Sequence, residues 1–278
     1  MEQTRKIFAA GFMLVLVSLV YKVPCHAVER IHPQQLALLP KKAVLLDARP
    51  RKIWKKGHLP GALSFSWEEY TETDARKIPY RTLPPEKMAF VLGEMGITEN
   101  TPVVIVGDAK TSWGGEGWIA WVLAWVGHKG PVHILEGGTL IWQKKGVLTK
   151  RKKPHTPVRY APNLHPAVFI SAKTLHQKKE NYTLVDTRSL PEWVAGRIKG
   201  AVHIPWKKMI DPKTRTPIAT QAMKDLLQKK GVRLDKPVVY YCTGGVRSAW
   251  AWMAHEMAGL AQAINLEGGY EEWKRVTP

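Results

Sequence analysis

Cysteine is scarce in this sequence: its 278 residues contain only Cys25 and Cys242. Two cysteines can form at most one disulfide, which excludes the disulfide-rich class of secreted domains. The 10 histidines are scattered and show no paired Cys/His spacing of the kind that binds zinc. We therefore predict no metal site.

Acidic residues are also few. The sequence has 23 aspartates and glutamates but 42 lysines and arginines, which gives a formal charge of +19. This excess favours anionic partners such as small anions, acidic proteins or lipid headgroups. The basic residues are spread along the chain without a nucleic-acid-binding motif, so we predict no nucleic-acid partner.

Residues 149–165 are rich in lysine and proline, and we interpret them as a linker; the alternative is a docking patch for an acidic protein.

The most continuous apolar run lies at the N-terminus. Arg5 and Lys6 precede an apolar run over residues 7–21, and the small residues Cys25 and Ala27 follow it. This pattern is typical of a secretory signal cleaved after residue 27, so we predict an exported, periplasmic protein that meets the membrane only through residues 1–27. The alternatives are an uncleaved signal anchor and a lipoprotein signal at Cys25. Cleavage would leave Cys242 as the sole cysteine.

Cys242 lies where the sequence pattern changes from strand type to helix type. The apolar residues 238–241 precede it, two glycines follow, and an alanine-rich stretch begins after Arg247. A thiolate in such a loop is stabilised by the helix N-terminus and by the arginine, so we expect a nucleophile. The alternative is a small apolar residue buried at a strand end.

An internal repeat organises the rest of the chain. Residues 44–49 return 139 residues later as residues 183–188, and residues 57–62 return at the same offset as residues 196–201. Each copy alternates strand-type with helix-type segments, which predicts an α/β fold with parallel sheets flanked by helices. We place the first copy at residues 28–148 and the second at residues 166–278.

These motifs resemble the rhodanese family of sulfurtransferases. The resemblance lies in the six-residue loop from Cys242 through Arg247, the Asp-x-Arg pair at Asp186 and Arg188, and the Gly-x-x-x-Gly-Ala segment at residues 196–201. It implies two tandem rhodanese-like domains with the active cleft between them. The related Cdc25-like phosphatases have one residue more in the loop, so phosphatase or arsenate reductase activity is a weaker alternative.

The resemblance also assigns roles in the second copy. Cys242 would carry a sulfane sulfur as a persulfide, taken from a small anionic donor such as thiosulfate and given to a thiol or cyanide, without a cofactor. The expected substrate contacts are Thr243, Gly244, Gly245, Val246, Arg247 and Arg188, and the expected structural residues beside the site are Asp186 and Ser248. The alternative to an enzyme is an exported sulfur carrier or envelope adaptor that docks an acidic redox partner.

Two observations bear on the donor and on the first copy. Glu192 occupies a region where related thiosulfate- and mercaptopyruvate-using enzymes place a substrate arginine, a departure that leaves the identity of the donor open. For Arg188 the resemblance leaves two alternatives, contact with the donor anion or an ion pair with Glu192. In the first copy, the position equivalent to Cys242 is Gly107, which is followed by Asp108. That copy has no thiol, and we expect it to be inactive.

Overall fold

The computed structural model describes residues 28–152 and 154–276, so the predicted signal over residues 1–27 lies outside the described residues. The elements of the first half are, in chain order, β1 (Glu29–Ile31), β2 (Val44–Asp47), α1 (Arg51–Trp54), β3 (Ala62–Ser64), β4 (Thr71–Glu72), β5 (Arg81–Thr82), α2 (Pro85–Glu94), β6 (Val103–Val106), α3 (Gly115–Trp125), β7 (Val132–Leu135) and α4 (Gly138–Lys145).

The second half repeats this alternation of strands and helices. Its elements are β8 (Phe169–Ile170), α5 (Ala172–Gln177), β9 (Thr183–Asp186), α6 (Leu190–Ala195), β10 (Val202–His203), α7 (Thr220–Lys229), β11 (Val238–Tyr241), α8 (Val246–Met257), β12 (Ala263–Leu266) and α9 (Gly269–Val276). Among the described residues, no helix is long and apolar enough to cross a membrane.

Two parallel sheets with the same strand order form the two halves. The first sheet runs β1-β7-β6-β2-β3, and the second, taken from its other edge, runs β8-β12-β11-β9-β10. The strands of both sheets are buried, apolar and β-branched at their centres, as strands covered by helices on both faces are. The predicted α/β fold with two copies of one domain is confirmed.

The two halves share one core. Helices α3 and α8 pack directly on each other, and a Cβ placed on Gly117 would lie 2.3 Å from the Cα of Trp250, so only glycine permits this approach. Trp118, Trp121 and Trp252 are buried in the same apolar cluster. This contact fixes the second copy's cysteine loop relative to the first copy.

The described part of the linker, residues 149–152 and 154–165, contacts the first half. The amide of Val158 donates to the carbonyl of Gly93 at 2.9 Å, and that of Asn163 to the carbonyl of Val126 at 3.0 Å. A Cβ on Gly93 would meet the Val158 carbonyl at 2.3 Å, which explains a glycine inside α2. Tyr160 is buried. The linker therefore packs along the surface of the first half.

Candidate active site

Cys242 follows the last residue of β11 and precedes the first turn of α8. Its side chain is 1% exposed and lines a cavity of about 450 Å³. The chain enters the helix through Gly245, whose φ of 85° lies in the left-handed region, and a Cβ there would meet the Glu267 carbonyl at 2.2 Å. Glycine at this position is what allows the tight turn behind the sulfur.

The loop after Cys242 is held by the N-terminus of α9. The carbonyl of Cys242 accepts from the amide of Tyr270 at 2.7 Å, and the carbonyl of Thr243 accepts from the amide of Glu271 at 3.1 Å. The first N–H groups of α8 have no acceptor within their own helix, and this end of the helix carries partial positive charge. An anion on the Cys242 sulfur is therefore stabilised at this position.

Ser248 touches the sulfur from the first turn of α8. Its Oγ lies 3.5 Å from the Cys242 Sγ and 2.6 Å from Oδ1 of Asn265. The Asn265 Nδ2 in turn donates to the carbonyl of Gly245 at 3.1 Å. This buried network connects the sulfur, the first turn of α8 and β12, and it holds the loop in place.

Arg247 is engaged by a carboxylate from the same domain. Its Nη1 and Nη2 donate to Glu192 at 2.8 and 2.7 Å, and its Nη2 also lies 2.6 Å from the Thr243 hydroxyl. The Thr243 hydroxyl donates to Glu192 at 2.7 Å. The bond from the Arg247 guanidinium holds the pKa of Glu192 well below its usual range, so this carboxylate is ionised at neutral pH. The predicted positive charge is present beside Cys242, but it is paired.

Arg188 is not among the residues that line the cavity. Its guanidinium binds Asp186 at 2.6 Å and the Gly196 carbonyl at 2.6 Å, and it lies over the Tyr270 ring. In the first copy, whose described residues include no cysteine, Arg49 makes the same contacts with Asp47 and the Gly57 carbonyl. The Asp-x-Arg pair therefore makes the same contacts in both copies. Arg188 does not line the cavity, and it interacts with Glu192 only through longer-range electrostatics, without an ion pair.

The first copy supplies one wall of the cavity. The residues that it contributes are Trp67, Glu68, Tyr80 and Trp113. Tyr80 and Trp113 have φ values of 63° and 57°, in the left-handed region that non-glycine residues avoid at a cost of about 1–2 kcal/mol. Sequence reasoning placed the cleft between the copies but missed these four residues.

A larger cavity of about 670 Å³ lies against the first half, between Trp54, Phe90 and His155. It is lined by no cysteine and is separate from the Cys242 cavity, so its size alone does not make it the reaction site. Within residues 28–152 and 154–276, no cluster of His, Cys, Asp and Glu has the composition of a metal site.

Comparison with known protein families identifies the fold. The family described as "Rhodanese-like domain" matches residues 32–145 and residues 171–276. The chain belongs to the rhodanese-like domain family. The two matches correspond to the two sheets, so each half is one rhodanese-like domain.

Relatives and solved structures cover most of the chain. The sulfur carrier protein TtuD of Thermus thermophilus is 27% identical over 84% of this chain and 88% of its own length. The thiosulfate sulfurtransferase of Rattus norvegicus is 26% identical over 82% of this chain and 81% of its own length. A crystal structure of SseA from Escherichia coli, described as a 3-mercaptopyruvate sulfotransferase, matches with a TM-score of 0.78 at 19% identity, over 87% of this chain and 99% of that one. It shows the shared fold.

The first rhodanese-like domain carries a carboxylate where the second carries an arginine. Pairing of β2 with β6 and of β9 with β11 puts Gly107 at the position of Cys242. Glu116, the second residue of α3, then corresponds to Arg247, the second residue of α8. Glu116 is 3% exposed, and burial raises its pKa to about 8. This domain has neither the thiol nor the positive charge.

Proposed function

We propose that the protein is a sulfurtransferase that moves a sulfane sulfur from thiosulfate or a similar donor to a thiophilic acceptor through a persulfide on Cys242. The observation that carries the proposal is the Cys242 sulfur at the N-terminus of α8, inside a six-residue loop and facing a cavity. The relatives support it, because their names refer to sulfur transfer or sulfur carriage.

The reaction has two balanced half-steps. The Cys242 thiolate attacks the outer sulfur of thiosulfate, the S–S bond breaks, and sulfite leaves with the bonding electron pair. The resulting persulfide anion is stabilised by the N–H groups of the loop and by the helix N-terminus. A nucleophilic acceptor, cyanide or a thiolate, then attacks the outer sulfur and releases the Cys242 thiolate.

Steady-state transfer from thiosulfate to cyanide tests the proposal. We expect thiocyanate formation by the wild type and none by Cys242→Ser, since an alcohol cannot carry the sulfur. 3-Mercaptopyruvate should be compared in parallel as a donor, because a 3-mercaptopyruvate sulfurtransferase of Escherichia coli is 23% identical to this chain. Equal rates for wild type and Cys242→Ser would refute the assignment.

A sulfur carrier is the second candidate, and the name of the Thermus relative favours it. A carrier would form the same persulfide and then pass the sulfur to a protein partner, which the basic surface predicts to be acidic. The rate of discharge to small acceptors distinguishes the two. Fast discharge to cyanide or a small thiol supports the enzyme, and a persulfide that survives these reagents supports the carrier.

We further propose that the chain is exported through the signal over residues 1–27, on the sequence pattern alone. Intact mass and N-terminal sequencing of protein isolated from its own host test this. A chain beginning at Val28 supports cleavage. A chain retaining residues 1–27 contradicts it.

A further inference from the structure

The cavity beside Cys242 combines aromatic rings with carboxylates. We propose that the sulfur acceptor is a small organic cation, an aminothiol, whose ammonium group lies against Trp67, Tyr80 and Trp113 while its sulfur meets Cys242. The acceptor's role rests on the proposed sulfur transfer, whereas the cation site itself does not.

The aromatic wall lies directly over the cysteine loop. A Cβ on Gly244 would be 2.5 Å from the Cβ of Tyr80, so this ring is in contact with the loop. The rings of Tyr80 and Trp67 lie edge to face with centroids 6.0 Å apart. The Trp67 Nε1 donates to the carbonyl of Ser112 at 3.0 Å, which ties Trp67 to the segment that presents Trp113. Clustered aromatic faces attract cations, ammonium ligands above all.

The charged side chains that line the cavity sum to a negative charge, which favours a cationic ligand. Arg247 is paired with Glu192, so these two cancel. Glu68 is exposed at the cavity wall and makes no ion pair with another described residue. A persulfide on Cys242 adds a second negative charge. Although the whole chain carries +19, screening acts over about 8 Å at physiological salt, so the lining charges dominate inside the cavity.

The two most exposed rings are held in unfavoured backbone conformations. Tyr80 is 42% exposed and Trp113 is 52% exposed, and both have positive φ. Such conformations persist where the surrounding structure imposes them, and they cluster at ligand sites. The cavity of about 450 Å³ is of the size that holds small molecules. The fold thus keeps large apolar faces in water beside the reacting sulfur.

The transfer step is balanced with this acceptor. The thiolate of the aminothiol attacks the outer sulfur of the Cys242 persulfide, a new S–S bond forms, and the old one breaks. Cys242 leaves as a thiolate and the acceptor becomes a persulfide, with no net oxidation. The ammonium group takes no part in the bond changes and only orients the acceptor.

Binding of choline, observed by saturation-transfer NMR on its methyl groups, tests the cation site without any sulfur chemistry. The matched probe is 3,3-dimethylbutanol, which has the same shape without the charge. We expect choline to bind at least about tenfold more tightly than the alcohol, as for an aromatic site with a carboxylate. Trp113→Ala and Glu68→Gln should weaken choline binding several-fold, and the control Phe90→Ala, an exposed ring at the other cavity, should not. Equal binding of both probes, or binding unchanged in Trp113→Ala, would overturn the proposal.

Discharge of the preformed persulfide tests the acceptor class. Cysteamine and 3-mercaptopropionate share a two-carbon thiol and carry an ammonium and a carboxylate, respectively, at the other end. Each rate is divided by that of the same thiol with free glutathione persulfide, which corrects for the different reactivities of the two thiols. We expect the corrected rate for cysteamine to exceed that for 3-mercaptopropionate by a factor of about ten or more, which is the size of effect that cation–π attraction and one carboxylate give. This ratio should fall several-fold in Glu68→Gln and stay unchanged in the exposed control Glu86→Gln. A ratio near one contradicts the proposal. If no persulfide forms at all, the proposed function fails while the choline result still decides the cation site.

Discussion

At the scale of single residues, the pairing of Arg247 with Glu192 is the feature that most affects the donor. Arg247 is the cation nearest the sulfur in the cavity lining, and both terminal nitrogens of its guanidinium bind this carboxylate. A dianion such as thiosulfate must approach an arginine whose charge is already balanced. We therefore expect thiosulfate to bind weakly.

Glu192→Gln should raise kcat/KM for thiosulfate by about tenfold, because removing one negative charge near the sulfur is worth about 1.4 kcal/mol. Glutamine still serves the capping box with Ser189, so α6 should be retained. The measurement is the steady-state rate against thiosulfate concentration, with the exposed Glu180→Gln as a control of equal charge change. An unchanged or lower kcat/KM in Glu192→Gln would show that the pair does not oppose the donor.

At the scale of elements, the hairpin β4–β5 joins the first domain to the second and carries Tyr80. Arg81 lies 2.7 Å from Glu267 and 3.1 Å from Glu272, and the amide of Thr82 donates to Glu267 at 2.6 Å. Both glutamates are buried. The hairpin is thus held by charges that the interface has taken out of water.

Arg81→Met should reduce the free energy of unfolding by about 3–5 kcal/mol, because it leaves the buried Glu267 without a cation and leaves the buried Glu272 with Arg76 alone. Adding Glu267→Gln to this variant should restore part of the loss, since one unpaired charge is then removed. Denaturant unfolding of the wild type and both variants measures this. A loss below about 1 kcal/mol, typical of an exposed ion pair, would mean that the contacts do not hold the hairpin.

Motifs within one copy were predictable from the sequence, and contacts across the copies were not. The loop of Cys242 lies between a strand and a helix as its pattern predicts, because apolar strands and glycine turns are local signals. Tyr80 and Trp113 reach the cavity only because α3 and α8 pack together, which no spacing reveals. Within the second copy, Glu192 and Arg247 meet across 55 positions of sequence, a separation at which local patterns do not predict a contact. The loop between β6 and α3, residues 107–114, is longer than the corresponding loop between β11 and α8, residues 242–245. This extra length, which includes Trp113, was the one sequence signal that could have drawn attention to that residue.

At the scale of the whole molecule, two buried carboxylates make stability depend on pH. Burial raises the pKa of Glu116 to about 8 and that of Glu267 to about 7, both above the ordinary value of 4.5. The folded chain therefore binds more protons than the unfolded chain between these values. The stabilisation is full below pH 4.5 and is lost as the pH rises towards 8.

Glu116→Gln should remove part of this dependence, because the amide is neutral at every pH. Relative to wild type, the variant should gain stability from pH 5 to pH 8 by up to about 1.4 kcal/mol per pH unit. Denaturant unfolding at several pH values measures it, with the exposed Glu86→Gln as the control. Parallel profiles for Glu116→Gln and wild type would show that Glu116 ionises normally.

The central claim is that one atom, the Cys242 Sγ, carries the transferred sulfur. Intact-mass measurement of the chain beginning at Val28, after incubation with thiosulfate, tests it most directly, because Cys242 is the only cysteine in residues 28–278. The account predicts a gain of one sulfur atom per chain, reversed by cyanide, and no gain in Cys242→Ser. A wild-type chain with a free thiol that gains no sulfur from any sulfane donor, or a Cys242→Ser chain that gains one, would contradict it.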